Sequence, residues 1–263
     1  MGRSEVAMLA GETPYRIEVL GHFDLRVPGH QQIRLSAQAQ RLVAAVAVRD
    51  RVSREQIAAI LWPDYDDAAA LGRVRDVLYR IRGAAPGLLV GHGHQVCLGH
   101  GVDVDLHRAR CHAVELTAAS GAGLCDTALG AGGTAAAALL TSRLLPGWPD
   151  EWLAADKRSF AMLRLRALED AARHWLARGH YGPAEQAALA AIQVEPYRET
   201  TRLLLAQIYA AEGNSAQALR SLTRFGRQLR RELGVPPSGE IQQFACSLQQ
   251  SDPGQPVFSL SRG

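Results

Sequence analysis

Apolar and polar residues alternate along the start of the chain in the way typical of short β-strands. The alternation occurs three times, in residues 17–19, 23–27 and 33–35. Glycine and proline separate these segments at residues 21 and 28–29, which favours turns. The pattern predicts three short strands, and helices must cover one face of a sheet this small.

The apolar positions then adopt the three-to-four-residue spacing of amphipathic helices. Three helices are predicted, the first two beginning after Ser36 and Ser53. Gln56 follows Ser53 by three residues and completes a capping box. Pro63 ends the second helix, and the acidic residues of 64–67 suit the positive N-terminus of the third.

The third helix, predicted over residues 67–82, combines one apolar stripe with a polar face. The stripe consists of Val74, Val77, Leu78 and Ile81. The residues that point away from the stripe or lie on its shoulders are Gly72, Arg73, Arg75, Asp76, Tyr79, Arg80 and Arg82. Gly72 is costly inside a helix, which makes sense if another backbone comes close to it.

A β-hairpin is predicted after the third helix. The apolar runs 88–90 and 96–98 flank the sequence GHGHQ, residues 91–95. Strands, three helices and a terminal hairpin together predict a winged helix-turn-helix over residues 14–101.

The second half of the chain is helical, rich in alanine and internally repeated. The repeat positions match a tetratricopeptide unit, and two of them recur 34 residues later: Gly179, Tyr181, Ala184, Ala191 and Pro196, then Gly213 and Ala218. A generic helical bundle with incidental alanines is the alternative. Residues 102–250 are predicted to form this all-α domain, with a flexible loop at 118–133 and a tail at 251–263. The predicted fold is therefore mainly α with a small β component.

The composition limits the class of protein and the cellular compartment. A formal net charge of +3 excludes a histone-like polycation but permits a local basic face. The four cysteines form no CxxC pair, which favours a reducing cytoplasm. The sequence suggests neither a signal peptide nor a membrane span.

The arginine-rich helix and the hairpin tip favour binding to double-stranded DNA. In this hypothesis the third helix enters the major groove, while Arg54 grips a phosphate. Solvation of the whole arginine face is the alternative for these residues.

The sequence gives little indication that this protein is an enzyme. We find no GxSxG, HExxH, P-loop or GxGxxG motif, and we predict no catalysis and no cofactor. His92, His94, Cys97 and His100 are a possible zinc set, although a solvated hairpin explains them equally well. Trp148 and Trp152 are interpreted as core anchors rather than binding hot spots.

Five motifs, in order along the chain, resemble one family of regulators: RIEVLGHFDLRV (16–27), VSREQIAAILWPD (52–64), LGRVRDVLYRIRG (71–83), LLPGWPDEW (144–152) and RELGVPPS (231–238). The chain is similar to the Streptomyces antibiotic regulatory protein family of activators, in its small form. These proteins join an OmpR-like winged helix to a bacterial transcriptional activator domain. The resemblance runs from about residue 15 to residue 250.

The resemblance implies an activator that binds direct repeats as side-by-side protomers, a homodimer on DNA, and that engages RNA polymerase and its sigma subunit. It places the arginines of residues 73–82 on the recognition helix and His94-Gln95 at the wing tip. The usual Gly-Tyr-type tip is replaced here by His94-Gln95, and the recognition helix departs from the commonest family forms. The operator therefore cannot be carried over. The competing hypothesis is a tetratricopeptide interaction scaffold that does not bind DNA.

Overall fold

The computed structural model describes residues 15–27, 31–122 and 139–250. Its elements, in chain order, are β1 (Arg16–Glu18), β2 (Asp24–Arg26), α1 (Ala37–Arg49), β3 (Arg51–Ser53), α2 (Arg54–Leu61), α3 (Asp67–Ala84), β4 (Leu89–His92), β5 (Gln95–Leu98), β6 (Asp103–Val104), α4 (Asp105–Ala122), a 3-10 turn (Glu151–Leu153), α5 (Ala154–Ala177), α6 (Tyr181–Val194), α7 (Glu199–Ala211), α8 (Ser215–Leu233) and α9 (Gly239–Gln250).

The chain divides into two compact units. The first comprises Met1–His112 and Ala138–Ala161, and the second comprises Ala113–Ala137 and Met162–Gly263. The boundary between residues 101 and 102 inferred from the sequence remains a prediction.

The first unit contains two three-stranded sheets. In one, β1 lies between β2 and β6, and Ile17 faces both Leu25 and Val104. In the other, β5 lies between β3 and β4, and Val96 faces Val52. All five of these side chains are buried, so each sheet contributes an apolar face to the core that the helices complete.

Residues 33–35 do not form the third strand that their alternation predicts. Only Gln32 makes an isolated bridge, to Arg26, and Ile33 donates its N–H to the Leu25 carbonyl over 2.8 Å. The chain then turns at once into the Ser36 cap of α1, where the Ser36 hydroxyl accepts from the Ala39 N–H. Two backbone hydrogen bonds and one bridge beside β2 are too few to form a ladder, so the segment instead contributes the side chains of Ile33 and Leu35 to the core.

The strands that complete the two sheets, β3 and β6, were missed by the pattern. Arg51–Ser53 and Asp103–Val104 are three and two residues long. Alternation cannot be recognised over so few positions, and both strands exist because longer-range pairing holds them.

The predicted helix starts are confirmed. Ser53 and Gln56 form the reciprocal hydrogen bonds of a capping box at α2. The Asp66 carboxylate accepts from the Ala69 N–H over 2.8 Å and caps α3. Each cap satisfies backbone donors that would otherwise be unpaired, which fixes where the helix begins.

Residues 144–160 belong to the first unit, where they complete its core. Leu145 is buried and donates its N–H to the Val19 carbonyl over 2.9 Å. Trp148 and Trp152 pack against the same core, and the Trp148 ring lies 5.9 Å from that of Phe23. The prediction that these tryptophans are core anchors is confirmed.

The second unit repeats the same helix–turn–helix geometry at an interval of 34 residues. Gly179 and Gly213 both adopt a left-handed backbone, with φ of 73° and 91°. In the first turn the His180 N–H donates to the Trp175 carbonyl over 2.9 Å. Asn214 makes the equivalent bond to Tyr209 over 2.8 Å, so the tetratricopeptide-like turn occurs twice.

Small side chains occupy the repeated helix contacts. Ala172 and Ala206 are fully buried, as are Ala184 and Ala218 of the next helix in each pair. A side chain without further carbons allows the helix backbones to approach closely. The predicted fold class, a winged helix-turn-helix followed by a tetratricopeptide-like all-α domain, is confirmed.

Two smaller predictions change. Residues 118–122 were expected to begin a loop but are helical, because α4 continues to Ala122; residues 123–133 and the expected tail at 251–263 lie outside the described residues. The position of Cys246 in the last helix predicts a small buried side chain, but Cys246 is exposed. None of the described helices has the length and apolarity needed to span a bilayer.

Candidate nucleic-acid interface

The packing of α3 determines which of its residues face outward. Its apolar side is buried in the first unit through Ala70, Val74, Val77 and Ile81. The opposite side carries the exposed residues predicted for binding: Arg75, Asp76, Tyr79, Arg80 and Arg82. Tyr79 is 80% exposed, so both its ring and its hydroxyl are accessible to a partner.

Three exposed arginines of α3 have no carboxylate partner. Arg75, Arg80 and Arg82 form no ion pair with any of the described residues. A guanidinium that the protein does not occupy keeps its planar set of donors available for phosphate oxygens or for guanine. The geometry of α3 therefore suits an anionic ligand.

Arg73 differs from the other three arginines because the protein orients it. It is half-buried, and its guanidinium carbon lies 4.0 Å from the centroid of the Tyr65 ring. Tyr65 precedes the helix cap and is 46% exposed. Sequence reasoning missed Tyr65, although an aromatic residue in the acidic turn before an arginine-rich helix was a usable signal.

Gly72 has no neighbour within the chain that requires a glycine. A β-carbon built at this position meets no atom within 4 Å among the described residues. The expectation of a close backbone is therefore not met inside the protein. The absence of a side chain leaves a notch on the outward face of α3.

The wing is a tight hairpin. His92 and Gln95 are paired across it, so Gly93 and His94 form a two-residue turn. Gly93 has a φ of 60°, a conformation that glycine adopts without steric cost. The His94 side chain is 89% exposed. Gln95, the first residue of β5, is also exposed.

Arg54 connects helix α2 to this turn. Its Nη1 donates to the Gly93 carbonyl over 2.9 Å, and its backbone N–H donates to the His94 carbonyl over 3.0 Å. A β-carbon at Gly91 would lie 3.2 Å from Nη2 of Arg54, so glycine leaves room for the guanidinium. Arg54 thus holds the wing, a role that the sequence did not predict.

Arg54 and Arg82 both line a groove between α3 and the hairpin, together with Leu78, Leu89 and Val90. This groove brings together two residues that lie 28 positions apart in the sequence and were predicted separately. At its edge, Glu55 lies 3.9 Å from Nδ1 of His94. Hydrogen bonds from its own backbone and from Ser53 hold the pKa of Glu55 below its ordinary value.

The possible zinc set of the hairpin is not assembled. Among the described residues, the histidine, cysteine and carboxylate groups that come within 4.8 Å of one another are Glu18, His22 and Asp24. Asp24 is buried and already accepts bonds from the Leu25 N–H, Arg26 and Gln32. Its oxygens are satisfied by the protein, so this group does not make a metal site.

Comparison with known proteins agrees with this architecture. The model of the bacterial transcriptional activator domain matches residues 104–249. Among solved structures, Mycobacterium tuberculosis EmbR in complex with a low-affinity phosphopeptide has a similar fold. Its TM-score is 0.70 at 19% identity, over 93% of this chain and 67% of that chain. The curated proteins contain no match to the sequence.

At 19% identity the likeness to EmbR shows a shared fold and no more. The bound phosphopeptide is a property of the EmbR structure alone. The family match covers most of the helical half of the chain, and the winged helix precedes it in the same order as the resemblance implied. The chain therefore belongs to the bacterial transcriptional activator domain family and is a transcriptional activator of the Streptomyces antibiotic regulatory protein type.

Proposed function

We propose that this activator binds double-stranded DNA in a sequence-specific manner, with α3 in the major groove and the hairpin turn at the adjacent minor groove. The observation that carries the proposal is the outward face of α3, where Arg75, Arg80 and Arg82 form no ion pair with a carboxylate of the described residues. Helix-turn-helix proteins read base edges with such a face, and arginine pairs bidentately with guanine.

The arginines divide into two groups by their surroundings. Arg75 and Arg80 lie on the two shoulders of the outward face, with Tyr79 between them, and we assign them to base edges. Arg54 and Arg82 lie in the groove at the base of the wing, and we assign them to phosphates. At the tip of the wing, we assign His94 and Gln95 to the minor groove.

We further propose that protomers bind side by side on direct repeats upstream of promoters, as a homodimer on DNA, and that the targets include biosynthetic gene clusters. Residues 102–250 then mediate contacts between protomers and recruit RNA polymerase with its sigma subunit. This activity takes place at the nucleoid in the cytoplasm. No cofactor is required by this scheme.

Genomic-DNA affinity sequencing with the purified protein at two salt concentrations tests the proposal. We expect enriched direct repeats with half-sites spaced by about one helical turn, and weaker enrichment at the higher salt. No enrichment at either concentration would exclude sequence-specific binding by the protein alone.

An interaction scaffold without DNA binding is the second candidate. The observation that favours it is the duplicated turn of the second unit, since tetratricopeptide-like helix pairs commonly form protein-binding surfaces. A scaffold would show neither a preferred sequence nor a steep dependence of DNA affinity on salt, so the same experiment separates the two functions.

A further inference from the structure

Helix α8 of the second unit carries a second concentration of arginine. Five arginines occur within twelve residues: Arg220, Arg224, Arg227, Arg230 and Arg231. All five are exposed, and Glu232 is the one acidic residue of the helix. This surface was not singled out by the sequence analysis and lies outside the winged helix.

Four of these arginines fall on one side of the helix. At 100° per residue, Arg220, Arg224, Arg227 and Arg231 lie within an arc of about 60°. With a rise of 1.5 Å per residue they extend over about 16 Å along the helix axis. We call these four residues the arginine stripe.

The opposite side of α8 anchors the helix and so determines which way the stripe faces. Ala218, Leu222, Phe225 and Leu229 are buried in the core of the second unit. Gly226 lies against Pro237, where a β-carbon would come within 3.0 Å of the proline ring. This packing leaves the stripe as the outer face of the helix.

The stripe is poorly neutralised by the protein. Arg231 pairs with Glu232 over 2.6 Å, yet its side chain remains 78% exposed. Arg220, Arg224 and Arg227 form no ion pair with the described residues. Like charges three and four positions apart destabilise a helix, so the arrangement works against the stability of the free protein.

The chemistry of the stripe indicates the kind of partner. Its neighbours on the helix surface are polar, among them Thr223 and Gln228. The exposed apolar Leu233 lies about 150° around the helix from the centre of the stripe. A protein partner needs an apolar, desolvated contact centre, whereas a phosphate backbone is held by arginine with hydroxyl and amide donors.

We propose that the arginine stripe binds the phosphate backbone of duplex DNA without reading its sequence. The inference rests on the proposed DNA binding by α3 and extends the DNA contact to the activator domain. Each neutralised phosphate releases counterions, so the stripe adds affinity and salt dependence equally on all sequences.

The test compares two double variants of the full-length protein. Arg224→Gln with Arg227→Gln removes the middle of the stripe, and Arg158→Gln with Arg166→Gln removes two exposed arginines from α5 as a charge-matched control. Binding is measured by fluorescence anisotropy over a range of salt concentrations. The probes are a duplex that carries the enriched direct repeat and a random duplex of equal length.

We expect the stripe variant to weaken binding to both duplexes by the same factor, which leaves the ratio of the two affinities unchanged. The slope of log affinity against log salt should fall in magnitude by about 1.8, or about 0.9 for each lost phosphate contact. The control variant should leave the slope unchanged. The thermal unfolding midpoint of the stripe variant should be unchanged or slightly higher, and this result would exclude misfolding as the cause of weaker binding.

An unchanged slope in the stripe variant, or an equal change in the control, would overturn the inference while the DNA binding by α3 stands. Lost self-association or lost binding to RNA polymerase, with DNA affinity intact, would overturn it in favour of a protein partner. If the unmodified protein binds neither duplex, the proposed function fails and the inference fails with it.

Discussion

The guanidinium of Arg73 stacks on the ring of Tyr65, with 4.0 Å between the guanidinium carbon and the ring centroid. The contact links the acidic turn before α3 to the first turns of that helix. A cation–π pair of this kind contributes about 0.5–1 kcal/mol at an exposed site. It also restricts a long side chain that would otherwise sample many rotamers, so Arg73 is presented in one direction before any ligand arrives.

Removal of the Tyr65 ring should weaken DNA binding. We expect Tyr65→Ala to lower the affinity for the enriched repeat about three- to ten-fold, since Arg73 must then be ordered on binding. Tyr65→Phe keeps the ring and should bind like the unmodified protein, as measured by fluorescence anisotropy. In an Arg73→Ala background, Tyr65→Ala should have no further effect. Additive losses would show that Tyr65 acts independently of Arg73.

The two arginines on the shoulders of the α3 face should be indispensable for specific binding. We expect Arg75→Ala with Arg80→Ala to abolish specific footprints, because each bidentate guanine contact contributes about 1–3 kcal/mol. Both side chains are exposed, so the thermal unfolding midpoint should remain close to that of the unmodified protein. Footprints retained by this variant would remove α3 from the role of reading helix.

Gly72 offers a test in which stability and binding change in opposite directions. Gly72→Ala should raise the free energy of unfolding by about 1 kcal/mol, because the added β-carbon meets no described atom and alanine favours a helix. If DNA backbone enters the notch, the same variant should bind DNA several-fold more weakly. Gly83→Ala, near the end of α3, is a control in which the added β-carbon is equally unobstructed. Unchanged affinity of Gly72→Ala would exclude a close approach at this residue.

The second unit should lose stability in acid through one buried carboxylate. Burial alone would raise the pKa of Glu169, but hydrogen bonds from Arg198 and Thr201 and the charge of Arg198 hold it below its ordinary value. A lowered pKa in the folded state means that Glu169 stabilises the fold above its unfolded pKa of about 4.3 and that this contribution is lost as the pH falls through the folded pKa.

Thermal unfolding between pH 7 and pH 3 measures this contribution. The unfolding midpoint should decline below about pH 4.5, and Glu169→Gln should reduce the decline. At pH 7 the variant should be less stable by about 1–3 kcal/mol, because the half-buried Arg198 then lacks the charge partner that Glu169 supplies. An identical acid-dependent loss in both proteins would show that other groups control it.

Local signals in the sequence predicted much of the fold correctly. Capping side chains at Ser36, Ser53 and Asp66 act on backbone groups within three residues, so the helix starts follow from short motifs. The turns at Gly179 and Gly213 recur at a fixed interval because each unit of the repeat meets the same packing problem. Both kinds of signal are visible without knowledge of distant contacts.

Contacts between residues that are distant in the sequence could not be predicted from these local signals. The two-residue strand at Asp103–Val104 exists because β1 pairs with it, and residues 33–35 fail as a strand because no ladder receives them. The wing support by Arg54 and the stacking of Tyr65 on Arg73 join residues whose proximity depends on the folded first unit. The sequence pattern did not distinguish the arginines of α3, whereas the structure separates one oriented arginine from three that form no ion pair with the described residues.

The sequence by itself determined the order of the elements, the apolar stripe of α3, the hairpin and the 34-residue repeat, because caps, periodicity and glycine conformation act over a few residues. The tertiary structure alone decided which short strands pair, which arginines remain without a carboxylate and where the arginine stripe of α8 faces. Those properties depend on which surfaces the two cores bury, and burial is set by the whole packed unit rather than by any local segment.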